Sequence, residues 1–183
     1  MRTIQQFFYM GMDRHLPPLA QPPAGLTLEL GPGQSDRVPT DEKLRWPEWD
    51  AARELRKIHT TPGNWELEHL IPYPDGLIAE IHAYHFFEHL TGEHAIRLLL
   101  DIQRVLKPGG VLNVVTPYYN SNLQAHALDH KSFWCEDTWD WLFNQDYYTD
   151  HTPEGGWRLT KHFCIIMGIV ERNLCLMTQI VRT

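Results

Sequence analysis

Three stretches of this sequence carry residue types able to do chemistry. In Glu29-Leu30-Gly31-Pro32-Gly33 an acidic residue precedes a turn bounded by glycines. Glycine has no side chain, so such a turn lets a ligand come close to main-chain atoms. Ser35 stands where the third glycine of a dinucleotide fingerprint could fall, and no Gly-Lys-Ser/Thr follows, so neither that fingerprint nor a P-loop is supported. The second stretch, His85-Phe86-Phe87-Glu88-His89, matches an H-x-x-E-H metal pattern. That chemistry needs both histidines on one helical face with the glutamate as base. Here the pattern begins in a strand-like run and ends at a helix start, so Glu88 and His89 read as positioning residues and no metal ligand is assigned. The third stretch holds His126, Asp129 and His130, which can supply a base or hold a loop by hydrogen bonds.

The elements that must position these residues follow from hydrophobic spacing. Residues 1–25 read as a proline-rich arm, because Leu16-Pro17-Pro18 and Gln21-Pro22-Pro23 forbid helix. Its roles are a docked tail or a lid. Leu26-Thr27-Leu28-Glu29-Leu30 alternates and stops at the glycine turn, a strand signature. Lys43–Trp46 is a second strand candidate, a helix fits about 48–58, and Asn64–Leu67 is a brief third strand candidate. Leu77–Ala83 is the next strand. From Thr91 to Leu106, Ala95, Leu98, Leu99, Ile102, Val105 and Leu106 follow helical spacing, and Thr91 can cap the start. Lys107-Pro108-Gly109-Gly110 ends that helix, and Val111–Val115 is a buried strand. A long loop over 117–135 precedes a short helix near 136–144. Trp157–Arg182 reads as two strands, most simply an antiparallel pair.

Alternating strands and helices predict an α/β fold with a mostly parallel sheet, which binds ligands beyond the carboxyl ends of its strands. Glu29–Gly33, Glu66–Leu70 and Ala83–Glu88 would end at that edge. Four segments together resemble the class I S-adenosylmethionine-dependent methyltransferases, particularly the small type 11 group. Leu28–Gly33 is similar to their first motif. Ile71-Pro72-Tyr73-Pro74-Asp75 resembles their LPF-x-D turn, and Ile81–Leu90 their fourth strand and EHL segment. Arg104-Val105-Leu106-Lys107-Pro108-Gly109-Gly110 resembles their RVLKPGG signature. The likeness spans about residues 26–120, and the last two motifs are its most specific part.

The resemblance implies a Rossmann-like three-layer sandwich over residues 26–183, a single domain ending in an antiparallel strand pair. The stretch between Leu30 and Ile78 is short for the family, which implies reduced N-terminal helices. The implied cofactor is S-adenosylmethionine. Gly31, Pro32 and Gly33 would form the loop at its methionine part, and Glu29 would fix that loop or the ligand's amino group. Glu48 or Asp50 would hold the ribose, Glu66 with Leu67 would meet the adenine, and His85 would lie beside the methyl donor. The region of His126 and His130 would face the acceptor, so His85, His126 and His130 are the candidate bases. The implied reaction is methyl transfer to an acceptor by in-line displacement. A non-catalytic binding or regulatory subunit of the same fold is the alternative, and a zinc hydrolase using His85, Glu88 and His89 a lesser one.

Composition narrows the partners. The chain has 183 residues with 43% hydrophobic and 21% charged content, suited to a globular core. Its formal charge of -7 offers no basic face for nucleic acid. No run reaches the length of a membrane span, and no signal-peptide order opens the chain, so a cytoplasmic location is expected. Cys135, Cys164 and Cys175 lack CxxC spacing and read as reduced, inert thiols. A small-molecule acceptor is the preferred partner, and the oligomeric state is not readable.

Overall fold

A computed structural model describes residues 18–31, 42–44, 71, 73–144, 153, 155–170 and 173–183 of the chain. Its frame is a six-stranded sheet in the order β2-β1-β3-β4-β6-β5. The strands are β1 (Leu26–Leu30), β2 (Glu42–Leu44), β3 (Ile78–Tyr84), β4 (Leu106–Pro117), β5 (Leu159–Val170) and β6 (Asn173–Arg182). The first four run parallel, while β6 is antiparallel to both β4 and β5. This is the expected Rossmann-like sheet with its antiparallel C-terminal pair. The helix expected over 48–58, the strand expected at 64–67 and most of the N-terminal arm lie outside the described residues.

Helix α1 (Gly92–Val105) follows a 3-10 helix at Phe87–His89. Thr91 starts α1, its hydroxyl accepting from the His94 amide at 3.3 Å. The expected stripe of Ala95, Leu98, Leu99, Ile102 and Val105 is buried against Leu28, Leu30, Ile81, Leu112 and Leu176 of the sheet. Each large side chain in that layer contributes about 1.5–3 kcal/mol. Replacing Thr91 with alanine is expected to cost about 0.5–1 kcal/mol, read as a lower urea midpoint at unchanged slope.

The helix stops because Pro108 cannot continue it and forces the preceding residue into extended backbone. Leu106 is already extended, at φ −66° and ψ 140°. The strand therefore begins at Leu106, five residues earlier than the Val111 expected from apolar content. Gly110 is a close-approach glycine: a Cβ there would lie 2.7 Å from the Lys107 carbonyl oxygen. The segment expected as loop after β4 contains one helical turn, α2 (Asn122–Ala125). Helix α3 (Glu136–Phe143) covers the same sheet face as α1, with Trp139 fully buried against Phe87 and Trp134. Phe133 and Trp141, from the same stretch of chain, are exposed.

The opposite face carries an apolar cluster of Tyr84, Val115, Phe163, Met167, Cys175 and Met177, covered by Leu19 and by Leu123 of α2. Residues 18–24 are tied to it at three points. His162 Nε2 meets the Pro18 carbonyl at 2.9 Å, the Ala20 amide donates to Gln179 at 2.7 Å, and Lys107 donates to the Ala24 carbonyl at 2.8 Å. A polar chain runs through this face. The Tyr84 hydroxyl and His82 Nδ1 are hydrogen-bonded at 2.8 Å, and His82 Nε2 faces Glu80 at 3.3 Å. Asn113 donates to Glu80 at 2.8 Å, and Gln179 donates to Asn113 at 2.9 Å. Burial raises the Glu80 carboxyl's proton affinity, but its bonds to His82 and Asn113 outweigh this and hold it below the usual range. Burial, with the charges of Glu80 and Glu29, keeps the Tyr84 phenol protonated. No helix among the described residues is long and apolar enough to cross a membrane.

Candidate functional site

The register of the parallel strands sets which residues emerge together at their carboxyl edge. Leu30 lies opposite Ala83, and Tyr84 lies opposite Val115. Gly31 and His85 therefore leave the sheet side by side, and the His85 amide donates to the Val115 carbonyl at 2.8 Å. Gly31 has φ +62°, and a Cβ there would sit 2.3 Å from Cδ2 of the Phe86 ring. Only glycine combines that conformation with that approach. Glu29, two residues earlier, is 1% exposed and lies in register with His82. Pro32, Gly33, Glu48, Asp50, Glu66 and Leu67, all expected at the cofactor, lie outside the described residues.

His85 itself has φ +53°, a strained conformation for a residue with a side chain. Its Nδ1 lies 3.2 Å from Oε1 of Glu88, a carboxylate with no exposed surface. The 3-10 helix that carries Glu88 and His89 is joined to the loop after β4. The amides of Lys131 and Ser132 both donate to the Glu88 carbonyl, at 2.7 and 3.1 Å, and the Ser132 hydroxyl donates to the Phe87 carbonyl at 2.9 Å. This fastening brings His130 against His89, ring centroids 5.0 Å apart, with His126 6.4 Å beyond His130. His89 Nδ1 meets Asp129 at 3.1 Å. The three candidate bases His85, His126 and His130 thus share one cluster with Glu88, His89 and Asp129.

The helical geometry that H-x-x-E-H metal chemistry requires is not formed. His85 precedes the 3-10 helix in a left-handed conformation, and its Nδ1 faces Glu88. Tyr118 and Tyr119 leave β4 at the same edge and are fixed there. The Tyr118 hydroxyl donates to Glu136 at 3.1 Å, and the Tyr119 amide donates to the Trp134 carbonyl at 3.0 Å. The thiols of Cys164 and Cys175 are pushed up to about 11 and about 12 by burial, so neither is a nucleophile at neutral pH.

Sequence spacing left Arg104 unassigned beyond its motif, yet it organises this side of the domain. Its guanidinium donates to Asp101 at 2.5 Å, to the Tyr73 carbonyl and Asp75 at 2.8 Å each, and to the Ile71 carbonyl at 2.9 Å. Asp101 in turn accepts from the Ile71 amide at 2.6 Å. One side chain therefore joins the Ile71–Asp75 turn to the end of α1. The signal was present as two motifs, but nothing in their spacing paired them.

No family model and no curated protein matches the chain. Among solved structures, it is similar to the YcgJ protein of Bacillus subtilis, with a TM-score of 0.53 and 12% identity over 89% of this chain and 94% of that one. It is similar to the mitomycin 7-O-methyltransferase MmcR, with a TM-score of 0.55 and 17% identity over 87% of this chain, which spans 49% of that enzyme. It is also similar to the geranyl diphosphate C-methyltransferase of Streptomyces coelicolor A3(2), solved with Mg2+, geranyl diphosphate and S-adenosyl-L-homocysteine. There the TM-score is 0.51, at 15% identity over 87% of this chain and 75% of that one. The chain has the Rossmann-like methyltransferase fold.

Proposed function

We propose that the chain transfers a methyl group from S-adenosylmethionine to a small-molecule acceptor. The observation that carries this reading is the juxtaposition at the carboxyl edge. Gly31, left-handed and without a side chain, lies against Phe86 beside His85, in a fold shared with methyltransferases. Residues 26–183 are taken as one domain and residues 1–25 as its arm. The described residues fit the cofactor's charge, because the buried carboxylate of Glu29 lies near this edge and suits a sulfonium cation. When bound, the cofactor supplies a methyl group already activated for in-line displacement.

The chain's part is then alignment and proton handling. Gly31 leaves space for a ligand at the main chain, while His85 is held by Glu88 and by its amide bond to Val115. An acceptor that gives up a proton would pass it to His85 or His126; His130, whose Nδ1 faces the Gln124 carbonyl at 3.1 Å, is the third candidate only where its Nε2 is free. His126 is exposed, with its Nδ1 against the Asn122 carbonyl at 2.9 Å, so its Nε2 is the ring nitrogen left to act. The formal charge of -7 supports a small acceptor over nucleic acid.

Incubation with methyl-labelled cofactor and a panel of small hydroxyl, amine and thiol acceptors tests the reading. Label transfer inhibited by S-adenosylhomocysteine is expected. Binding without transfer to any acceptor would favour the non-catalytic subunit instead. His126→Ala should lower turnover by about 10²–10⁴-fold with cofactor affinity kept, if His126 is the base. Unchanged turnover removes it from that role.

A further inference from the structure

We infer that Glu88, His89 and His130 form a divalent metal site. One ligand atom from each, a carboxylate oxygen and two ring nitrogens, lie within 4.8 Å of one another. Two histidines and a carboxylate are a donor set used for first-row divalent ions, with positions left open for water or substrate.

Two further observations point to a cation. Glu88 is fully buried; its Oε1 meets His85, while its Oε2 is buried with no hydrogen-bond partner. A buried carboxylate oxygen without a donor is costly, and a coordinated cation would satisfy it. Each histidine also has its Nδ1 engaged by an oxygen atom. His89 Nδ1 is held by Asp129 at 3.1 Å and His130 Nδ1 by the Gln124 carbonyl at 3.1 Å. Each Nδ1–H donating to oxygen leaves Nε2 with its lone pair, which is the outer-shell pattern that fixes a ligating tautomer. The bonds from Lys131 and Ser132 to the Glu88 carbonyl hold the two ligand-bearing segments together in advance.

This set differs from the local H-x-x-E-H pattern. His130 comes from the loop after β4, and His85 acts on Glu88 as its hydrogen-bond partner. Two imidazoles favour zinc, cobalt or iron over magnesium or calcium. Resting on the methyl-transfer reading, the open positions would hold an oxygen of a hydroxyl-bearing acceptor near His85.

Titration of chelator-treated, desalted protein with Co2+ alone, followed by visible absorption, and with Zn2+ by calorimetry, tests the site without cofactor or turnover. One equivalent of each is expected to bind, with Mg2+ failing to compete. Glu88→Gln and His130→Ala should weaken binding by about 100-fold or more, and Asp129→Asn by about 10–100-fold. Asp129 is largely exposed, so its variant reports on the site even where the ligand variants fold poorly. His162→Ala, on the exposed edge of β5, should bind as the parent does. Absence of stoichiometric binding would overturn the inference. So would binding that survives Glu88→Gln and Asp129→Asn, or that is lost in His162→Ala. Failure to bind S-adenosylhomocysteine would count against the methyl-transfer reading while leaving the metal titration unaffected.

Discussion

Arg104→Ala is expected to remove about 3–5 kcal/mol of stability, read as a large fall in the urea midpoint. The loss comes from what is left behind more than from what is removed. Asp101 is 1% exposed, and its Oδ1 and Oδ2 are satisfied by Arg104 and by the Ile71 amide. Without the guanidinium Asp101 is left buried with no counterion and one oxygen without its donor. The Ile71 and Tyr73 carbonyls lose donors in the same step. Burial alone would lower the proton affinity of Arg104, but Asp101 and Asp75 outweigh it and raise it above the usual value. Asp75→Ala should cost less than about 1 kcal/mol, since that carboxylate is 78% exposed. Arg104→Lys should recover little, because an ammonium cannot reproduce the planar fork that reaches four acceptors. A loss below about 1 kcal/mol for Arg104→Ala would show that the turn and the helix are not coupled through this residue.

Gly31→Val is expected to damage both stability and cofactor binding. The φ of +62° is costly for a β-branched residue, about 1–3 kcal/mol. The ring of Phe86, 2.3 Å from the position of the new Cβ, adds about 1–3 kcal/mol of overpacking unless it moves. Phe86 is itself 2% exposed and has little room to yield. Gly31→Ala should show the same effects at smaller size. Adding Phe86→Leu to Gly31→Ala should relieve the contact and leave the backbone strain. Thermal unfolding and cofactor titration on the same samples check both parts. Parent-like stability together with parent-like affinity in Gly31→Val would contradict the role given to this turn.

The parts of the fold legible in the sequence are those whose determinants are local. The stripe from Ala95 to Val105, the Thr91 cap and the Pro108 stop lie within one segment, and they place α1 to within a residue. The terminal hairpin was readable for the same reason. The single turn of α2 was not, because four residues are too few to show a period; it is fixed by Ser121 capping Gln124. Strand β3 read as apolar, which hid Glu80, His82 and Tyr84 as alternate residues of one face. Their partners Asn113 and Gln179 lie on other strands, and only sheet register brings them together. The site divides in the same way. Gly31 and His85 could be named from motif ends. That His89 and Glu88 would meet His130 depends on the bonds from Lys131 and Ser132 to the Glu88 carbonyl, which no local pattern encodes.

Calorimetric titration of the purified chain with S-adenosylhomocysteine reaches the adenosyl cleft most directly, since this ligand needs no acceptor. One site per chain is predicted, with a dissociation constant near 1 μM, about −8 kcal/mol. Absence of saturable heat at millimolar ligand would contradict the account.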